Sequence, residues 1–313
     1  MLWVALTTRT MEYHKPVLLH QCINLLQLKP DGIYVDATFG GGGHSREIVK
    51  HLDTGHLYGF DQDEDAQANA LDDDHFTLIS SNFRHLKNSL RFKGVRQIDG
   101  LLADLGISSH QIDEASRGFS LRYEGPLDMR MNRSRPLDAK QVVNTYSESE
   151  LTRIFRDYGE LVKPHFLARA IANARSSSPI ETTEELKNTL ERYAPRNKHG
   201  QFWAKVFQAI RIEVNDEMGA LHELLNQAAE ILKPGGRLVV MSYHSLEDRP
   251  VKNFFRTGNF EGKPEKDFYG NLIRPLEPVT RKPIVPDPTE TNENPRARSA
   301  KLRAAEKIDD VQQ

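Results

Sequence analysis

Short apolar runs alternate with polar, helix-favouring stretches over the first third of the chain. Ile33-Tyr34-Val35 enters a glycine-rich loop, His56-Leu57-Tyr58-Gly59-Phe60 ends on Asp61, Phe76 to Ile79 forms a third run, and Ile98 to Ala103 ends on Asp104. Apolar runs this short, bounded by turn residues, predict buried strands. His44 to Leu52, the segment after Asp63 through Ala70, and Phe83 to Leu90 predict helices between them, with Asp63 able to cap the second. Strands separated by single helices imply βαβ units and a parallel sheet, hence an α/β fold.

The rhythm stops near Ser108. Ser116 to Arg135, rich in Gly, Pro, Arg and Met, reads as ordered loop. Ser147 with Glu150 and Thr182 with Glu185 are capping-box patterns, and Pro164 suits a first helical position. These helices run to about Tyr193, where Pro195 to Gly200 breaks them. Phe207, Ile210, Val214, Leu221, Leu225, Ala228 and Leu232 then recur at helical spacing and predict one long amphipathic helix, ended by Pro234-Gly235-Gly236. Leu238 to Tyr243 predicts a strand and Leu246 to Phe255 a helix. Gly258 to Glu293, rich in Pro and charge, reads as a long loop with a short strand at its edges. The simplest organisation is one α/β domain, 13–112 and 203–313, interrupted by a helical insertion, 113–202.

Size and charge narrow the function. A chain of 313 residues suits one large α/β domain or a domain with a sizeable insertion. A net charge of −2 rules out a global polyelectrolyte binder, so nucleic-acid contact must come from local basic patches. Cys22 is the single cysteine; it makes no intramolecular disulfide and no cysteine-based zinc cluster, and a reducing cytoplasm is its natural setting. No apolar run approaches the ~20 residues needed to span a bilayer. Residues 1–12 read as a disordered extension, with Met11 an alternative start.

Candidate chemistry gathers at strand ends. The four glycines Gly40 to Gly43 follow a strand and precede a helix, where backbone amides can approach a ligand closely. Such a loop serves a dinucleotide or S-adenosylmethionine. In the dinucleotide fingerprint the third glycine lets helix and strand pack; here Ser45 or Arg46 stands there, which weakens a nicotinamide-dependent oxidoreductase. Asp61 lies about 20 residues beyond the loop, the distance at which an acidic residue bonds ribose hydroxyls. Phe83 is a candidate adenine stack, and Asp104 closes the fourth strand. Ligands of open parallel sheets bind outside the carboxyl ends of the strands, so these features should converge on one crevice. His244 follows the last clear strand as a candidate general base or substrate ligand, flanked by Ser242 and Ser245. No recognisable metal-binding motif is present, and none is expected.

Several segments together resemble one family. They are Asp36 to His44, Asp104-Leu105-Gly106-Ile107-Ser108-Ser109, Arg117-Gly118-Phe119-Ser120, Gly125-Pro126-Leu127-Asp128-Met129-Arg130-Met131, Phe207-Gln208-Ala209-Ile210-Arg211-Ile212, Ser242-Tyr243-His244-Ser245-Leu246-Glu247-Asp248-Arg249 and Asn294-Pro295-Arg296-Ala297-Arg298-Ser299, with His14-Lys15-Pro16 before them. From about Tyr13 to Lys307 the chain resembles the bacterial 16S rRNA cytosine-N4 methyltransferases, the RsmH or MraW family. The resemblance implies a Rossmann-like class I methyltransferase sheet with an inserted substrate-recognition domain. It implies S-adenosyl-L-methionine as cofactor, contacted by Gly42, Gly43, His44, Asp61, Phe83, Asp104 and Gln111. It also implies N4-methylation of the decoding-centre cytidine at position 1402 of 16S rRNA, in the cytoplasm. Two places depart from the family pattern: His110 stands where Pro is common, and Phe202-Trp203-Ala204-Lys205 replaces a usual Pro-Ala-Thr-Arg.

The residues alone do not specify cytosine N4, since the Asp-Pro-Pro-Tyr-like motif of most amino-methylating base enzymes is absent. They speak against carbon-5 methylation, which needs a cysteine nucleophile near the strand ends. Asp104, with His244, is the expected catalytic group, accepting an amino hydrogen and steering the nitrogen. Arg130, Arg133, Arg135, Arg153, Arg156, Arg169, Arg175, Arg296, Arg298, Lys301 and Arg303 are available for phosphate. A non-catalytic RNA-binding factor on the same fold is the third reading, disfavoured by the intact loop and strand-end acids. Oligomeric state is not readable; a homodimer stays open.

Overall fold

The computed structural model describes residues 16–309; the expected extension at 1–12 lies outside the described residues. Seven strands form one sheet: β1 (Ile33–Asp36), β2 (His56–Asp61), β3 (Phe76–Ser80), β4 (Ile98–Asp104), β5 (Leu232–Ser242), β6 (Leu276–Pro278) and β7 (Lys301–Lys307). Their order is β3-β2-β1-β4-β5-β7-β6. The first five strands are mutually parallel. β7 is antiparallel to both β5 and β6, so the sheet is mixed where a parallel one was expected. β7 escapes sequence reasoning because Ala, Lys, Arg and Glu dominate it, all good helix formers. Tertiary pairing overrides that preference, and Asp248 holds Arg303 in place at 2.6 Å.

Helices cover both faces. α1 (Leu19–Leu26) and α2 (Gly43–Val49) lie over a cluster that includes Tyr34, Phe39, Leu57 and Leu302. α3 (Leu86–Phe92), α10 (Glu217–Ile231) and α11 (Ser245–Thr257) cover the opposite face, where Leu90, Leu225 and Phe254 share a core with Leu101 of β4. The predicted helix after Asp63 is a 3-10 segment, Glu64–Asn69, which Asp63 caps by accepting from the Asp65 amide. α4 (Ser109–Asp113) then leads into the ordered loop.

A second core belongs to the helical segment: α5 (Ala139–Thr145), α6 (Glu148–Asp157), α7 (Pro164–Arg175), α8 (Thr183–Leu190) and α9 (His199–Asn215). Both capping boxes form, at Ser147/Glu150 and Thr182/Glu185, and Pro164 opens α7. α9 packs with these helices through Trp203, Phe207, Ile210 and Val214, so this core runs on to Val214. Gly200, expected in a break, sits in the first turn of α9.

The predicted long helix is two. α9 ends at Asn215, α10 runs Glu217–Ile231, and Asp216 between them is left-handed, φ +49°. The apolar period continues through the junction, which hides it from pattern reading. Pro234-Gly235-Gly236 does not end α10. β5 already begins at Leu232, and the Pro-Gly-Gly segment bulges out of it where the register shifts between Ile98 and Gly100. α11 (Ser245–Thr257) follows β5, and the expected long loop carries β6 and α12 (Pro288–Glu293).

Candidate active site

The chain order reverses between β1 and β4, and the crevice of such a sheet opens there, beyond the carboxyl ends of the strands. The glycine loop closes one side. Gly42 has φ +73°, and a Cβ there would lie 2.8 Å from the Phe39 ring; at Gly43 it would lie 2.3 Å from Pro16 Cγ. A side chain at either position would push the loop off the sheet. Asp61 braces the loop from β2: Oδ2 accepts the Gly40 amide and Oδ1 the Asp63 amide, both at 2.8 Å. Each oxygen keeps a lone pair for a ligand hydroxyl. Burial pushes the Asp61 carboxyl up to about 6. Ser45, standing where a dinucleotide fold needs its third glycine, donates to buried Asp36 at 2.6 Å. The departure from the fingerprint is therefore a strand-end hydrogen bond.

Arg117 ties this side to the ordered loop. It is 1% exposed. Its guanidinium meets Asp63 at 2.8 Å and Asp65 at 2.6 Å, and donates to the carbonyls of Arg130 and Met131 at 3.0 and 3.1 Å. Gln111 joins the cluster: Nε2 donates to Asp63 at 2.6 Å while Oε1 accepts the Ser108 amide in a capping box.

The crevice is lined by Thr38, Gln62, Asn82, Phe83, Leu105, Gly106 and, at the head of α11, Glu247 on the sheet side, and by Met131 from the ordered loop and Asn215, Glu217, Met218 and Leu221 from α9 and α10. The α9–α10 junction builds the second wall. Asn215 is buried; its Oδ1 accepts the Met131 amide and its Nδ2 donates to the Met129 carbonyl, both at 2.8 Å. Met129 is itself left-handed, φ +57°. Non-glycine residues so placed cost about 1–3 kcal/mol each, persist only where their surroundings over-determine them, and cluster at functional sites. Asp216 is held by Arg84 at 2.7 Å. Glu217, turned in by the junction, pairs with both Nε and Nη2 of Arg211, at 2.8 and 2.9 Å.

The ends of β4 and β5 carry the remaining acids. The Tyr243 hydroxyl donates to Asp104 Oδ1 at 2.8 Å, and burial pushes the Asp104 carboxyl up to about 6 against the pull of His44 and this hydrogen bond. Glu247 is 2% exposed, accepts the Tyr243 amide at 2.8 Å, and stands 3.1 Å from His244 Nε2. Burial alone would raise its pKa, but His244, Arg211 and the amide together hold it below the usual carboxylate value. One ligand atom from each of Glu217, His244 and Glu247 lies within 4.8 Å of the others, and Arg211 stands at the same cluster. Cys22 is fully buried in α1, where burial raises its thiol well above the ordinary value.

Of the expected residues, Phe83 lines the crevice, while Asp61 and Asp104 directly precede the lining residues Gln62 and Leu105. His44 turns toward α1, its Nε2 3.1 Å from the Val17 carbonyl. Many expected RNA-facing cations have partners within the chain: Arg130 with Asp128, Arg153 with Glu213, Arg169 with Glu148, Arg296 with Asp113, Lys301 and Arg303 with Asp248. Sequence reasoning missed Arg117, Asn215, Glu217 and Glu247. Glu217 lies in the pattern that predicts one long amphipathic helix, and Glu247 in the predicted helix Leu246 to Phe255; its place three residues after a strand-end His was the available signal for Glu247.

The model of the MraW methylase family matches residues 11–308. The chain is 58% identical over 302 residues to a protein of Flavobacterium johnsoniae named ribosomal RNA small subunit methyltransferase H, covering 96% of this chain and 100% of that one. A protein of the same name from Bacteroides fragilis is 55% identical, over 94% of this chain and 97% of its own. Among solved structures, an rRNA methylase from Streptococcus thermophilus aligns over 93% of both chains with 14% identity and a TM-score of 0.40.

Proposed function

The chain belongs to the MraW methylase family, and from that premise we propose that it methylates nitrogen 4 of the decoding-centre cytidine, position 1402, in 16S rRNA. It is a methyltransferase, and its methyl donor is S-adenosylmethionine. The observation that carries the reading is the crevice at the strand ends, which fits a nucleoside-bearing cofactor. Asp61 keeps acceptor capacity for ribose hydroxyls, and Phe83 with Leu221 and Met218 offers apolar faces for a base. Gly42, Gly43 and His44 shape the loop, and Gln111 supports the site through Asp63. The bound cofactor supplies a methyl group on a sulfonium, already joined to a good leaving group. The protein's share is to position the acceptor nitrogen and accept its hydrogen. Asp104, oriented by Tyr243, and His244 at the head of α11 are the groups for that task.

The substrate comes from the name the relatives carry and from the resemblance of the site segments. Small-subunit rRNA is then the partner and the cytoplasm the location. The test is methylation of unmodified small subunits by the purified protein, followed by mass spectrometry of the decoding-centre fragment. One methyl on cytidine nitrogen 4 is expected; a methyl elsewhere, or none, counts against the reading. Binding to rRNA should weaken as salt rises, since phosphate contacts release counterions.

A further inference from the structure

His244 leaves one polar atom unexplained. Its Nδ1 is buried and has no hydrogen-bond partner among the described residues. Native proteins rarely bury such an atom without a reason, and a ligand contact is one. The other ring nitrogen limits what Nδ1 can do in the neutral ring, where one nitrogen donates and the other accepts. Nε2 stands 3.1 Å from Glu247 Oε1 and 3.5 Å from Arg211 Nη2. The carboxylate can only accept, and the guanidinium contact sits at the outer limit of hydrogen-bond length. Nε2 therefore carries the hydrogen, and in the neutral ring Nδ1 presents a lone pair.

We propose that Glu247 is a positioning residue that fixes this tautomer, so that His244 Nδ1 accepts a hydrogen from the exocyclic amino group of the target base. The inference rests on the methyltransferase reading for the identity of the base. Glu247 is suited to the task. Its Oε2 is pinned by the Tyr243 amide at 2.8 Å, so Oε1 cannot swing away from the imidazole. Glu217 and Arg211 are the other charged groups at the ring, and their bidentate pairing keeps the guanidinium turned toward Glu217. Ser245, next to His244, donates to Glu160 from the helical segment at 3.2 Å, which holds the head of α11 from outside. A base turned out of its strand presents its hydrogen-bonding edge to an enclosed acceptor of this kind. An acceptor selects amino-bearing cytosine over uracil, whose carbonyl at the same position would meet the lone pair unfavourably.

The tautomer is read directly by nitrogen NMR of the full-length protein labelled in histidine, with His244→Asn assigning the signal. A hydrogen on Nε2 is expected; a hydrogen on Nδ1 overturns the proposal whatever the substrate. Binding of decoding-centre RNA carrying cytosine or uracil at the target position supplies the second arm. The wild type should favour cytosine roughly tenfold or more. Glu247→Gln offers Nε2 a donor amide, so the tautomer should reverse and the preference collapse. Glu247→Asp should keep the preference in part, and it serves if the amide variant does not fold. Because Glu247 also lines the crevice, affinity for S-adenosylhomocysteine is measured on the same variants; a loss of cofactor affinity with the cytosine preference intact would mean that Glu247 serves the cofactor site instead. An absent cytosine preference in a wild type with the expected tautomer also overturns the proposal. The methylation assay above fails separately if the substrate reading is wrong.

Discussion

Replacing Arg117 with methionine keeps most of the side-chain volume and removes the charge. The structure gives the cost. Asp63, itself buried, would keep Gln111 as its one remaining side-chain donor among the described residues, and the carbonyls of Arg130 and Met131 would lose the guanidinium. Removing one partner of a buried ion pair costs about 3–5 kcal/mol, because the other charge stays buried. Arg117 is 1% exposed, so solvent does not screen the loss. On a chain of this size that corresponds to a fall in Tm on the order of 10 °C. Calorimetry measures it, and hydrogen exchange shows where it acts: amides of 128–135 should exchange faster, since the guanidinium pins that loop. Arg117→Lys, which keeps a charge but not the fork, should fall between the two. A Tm within about 2 °C of wild type, with unchanged exchange in the loop, would refute the reasoning.

Asp61→Asn should weaken S-adenosylhomocysteine binding about tenfold, the equivalent of one good hydrogen bond, by calorimetry; unchanged affinity would remove Asp61 from the ribose site. The same variant tests a pH effect. The folded Asp61 carboxyl sits at about 6, above its unfolded value, so the ligand-free wild type should lose stability relative to Asp61→Asn as pH rises from about 4 past 6, on the order of 3 kcal/mol. Parallel stability curves across that window would contradict it. Asn215→Ala should cost about 2–4 kcal/mol in denaturant unfolding, because it strips partners from the Met131 amide and the Met129 carbonyl while both left-handed residues remain. Cys22→Ala should leave methyl transfer within about threefold of wild type, and native Cys22 should resist alkylation, as its burial and raised thiol pKa require. Rapid labelling of the folded protein would be the contrary result.

The legible parts of the sequence were those where local and global preferences agree. The first four strands, both capping boxes and Pro164 at the head of α7 follow from short apolar runs and terminal hydrogen bonding, which a single sequence displays. The places of Phe83 in the crevice lining and of Asp61 beside it were legible because strand ends are where such sheets bind ligands. β7 was hidden because its side chains favour helix and only its neighbours make it a strand. The break at Asp216 was hidden because the apolar period runs through it unchanged, and only Asn215, Arg84 and the loop at Met129 enforce the turn. Glu217 and Glu247 were hidden for a related reason: a charge on a predicted helix reads as solvent-facing until packing shows what covers it.

β7 has a consequence for how the molecule is made. Of the seven strands among the described residues it comes latest in the chain, yet it lies between β5 and β6 and supplies the partner for both. Until it emerges from the ribosome, β5 presents a bare edge whose unpaired amides and carbonyls invite wrong partners. A nascent or prematurely terminated chain would carry its cofactor loop and its helical segment complete, and still lack a closed sheet beneath α11. Closure of the sheet thus waits for Lys301–Lys307, and stop codons before Lys301 should yield chains for proteolytic clearance rather than partial activity.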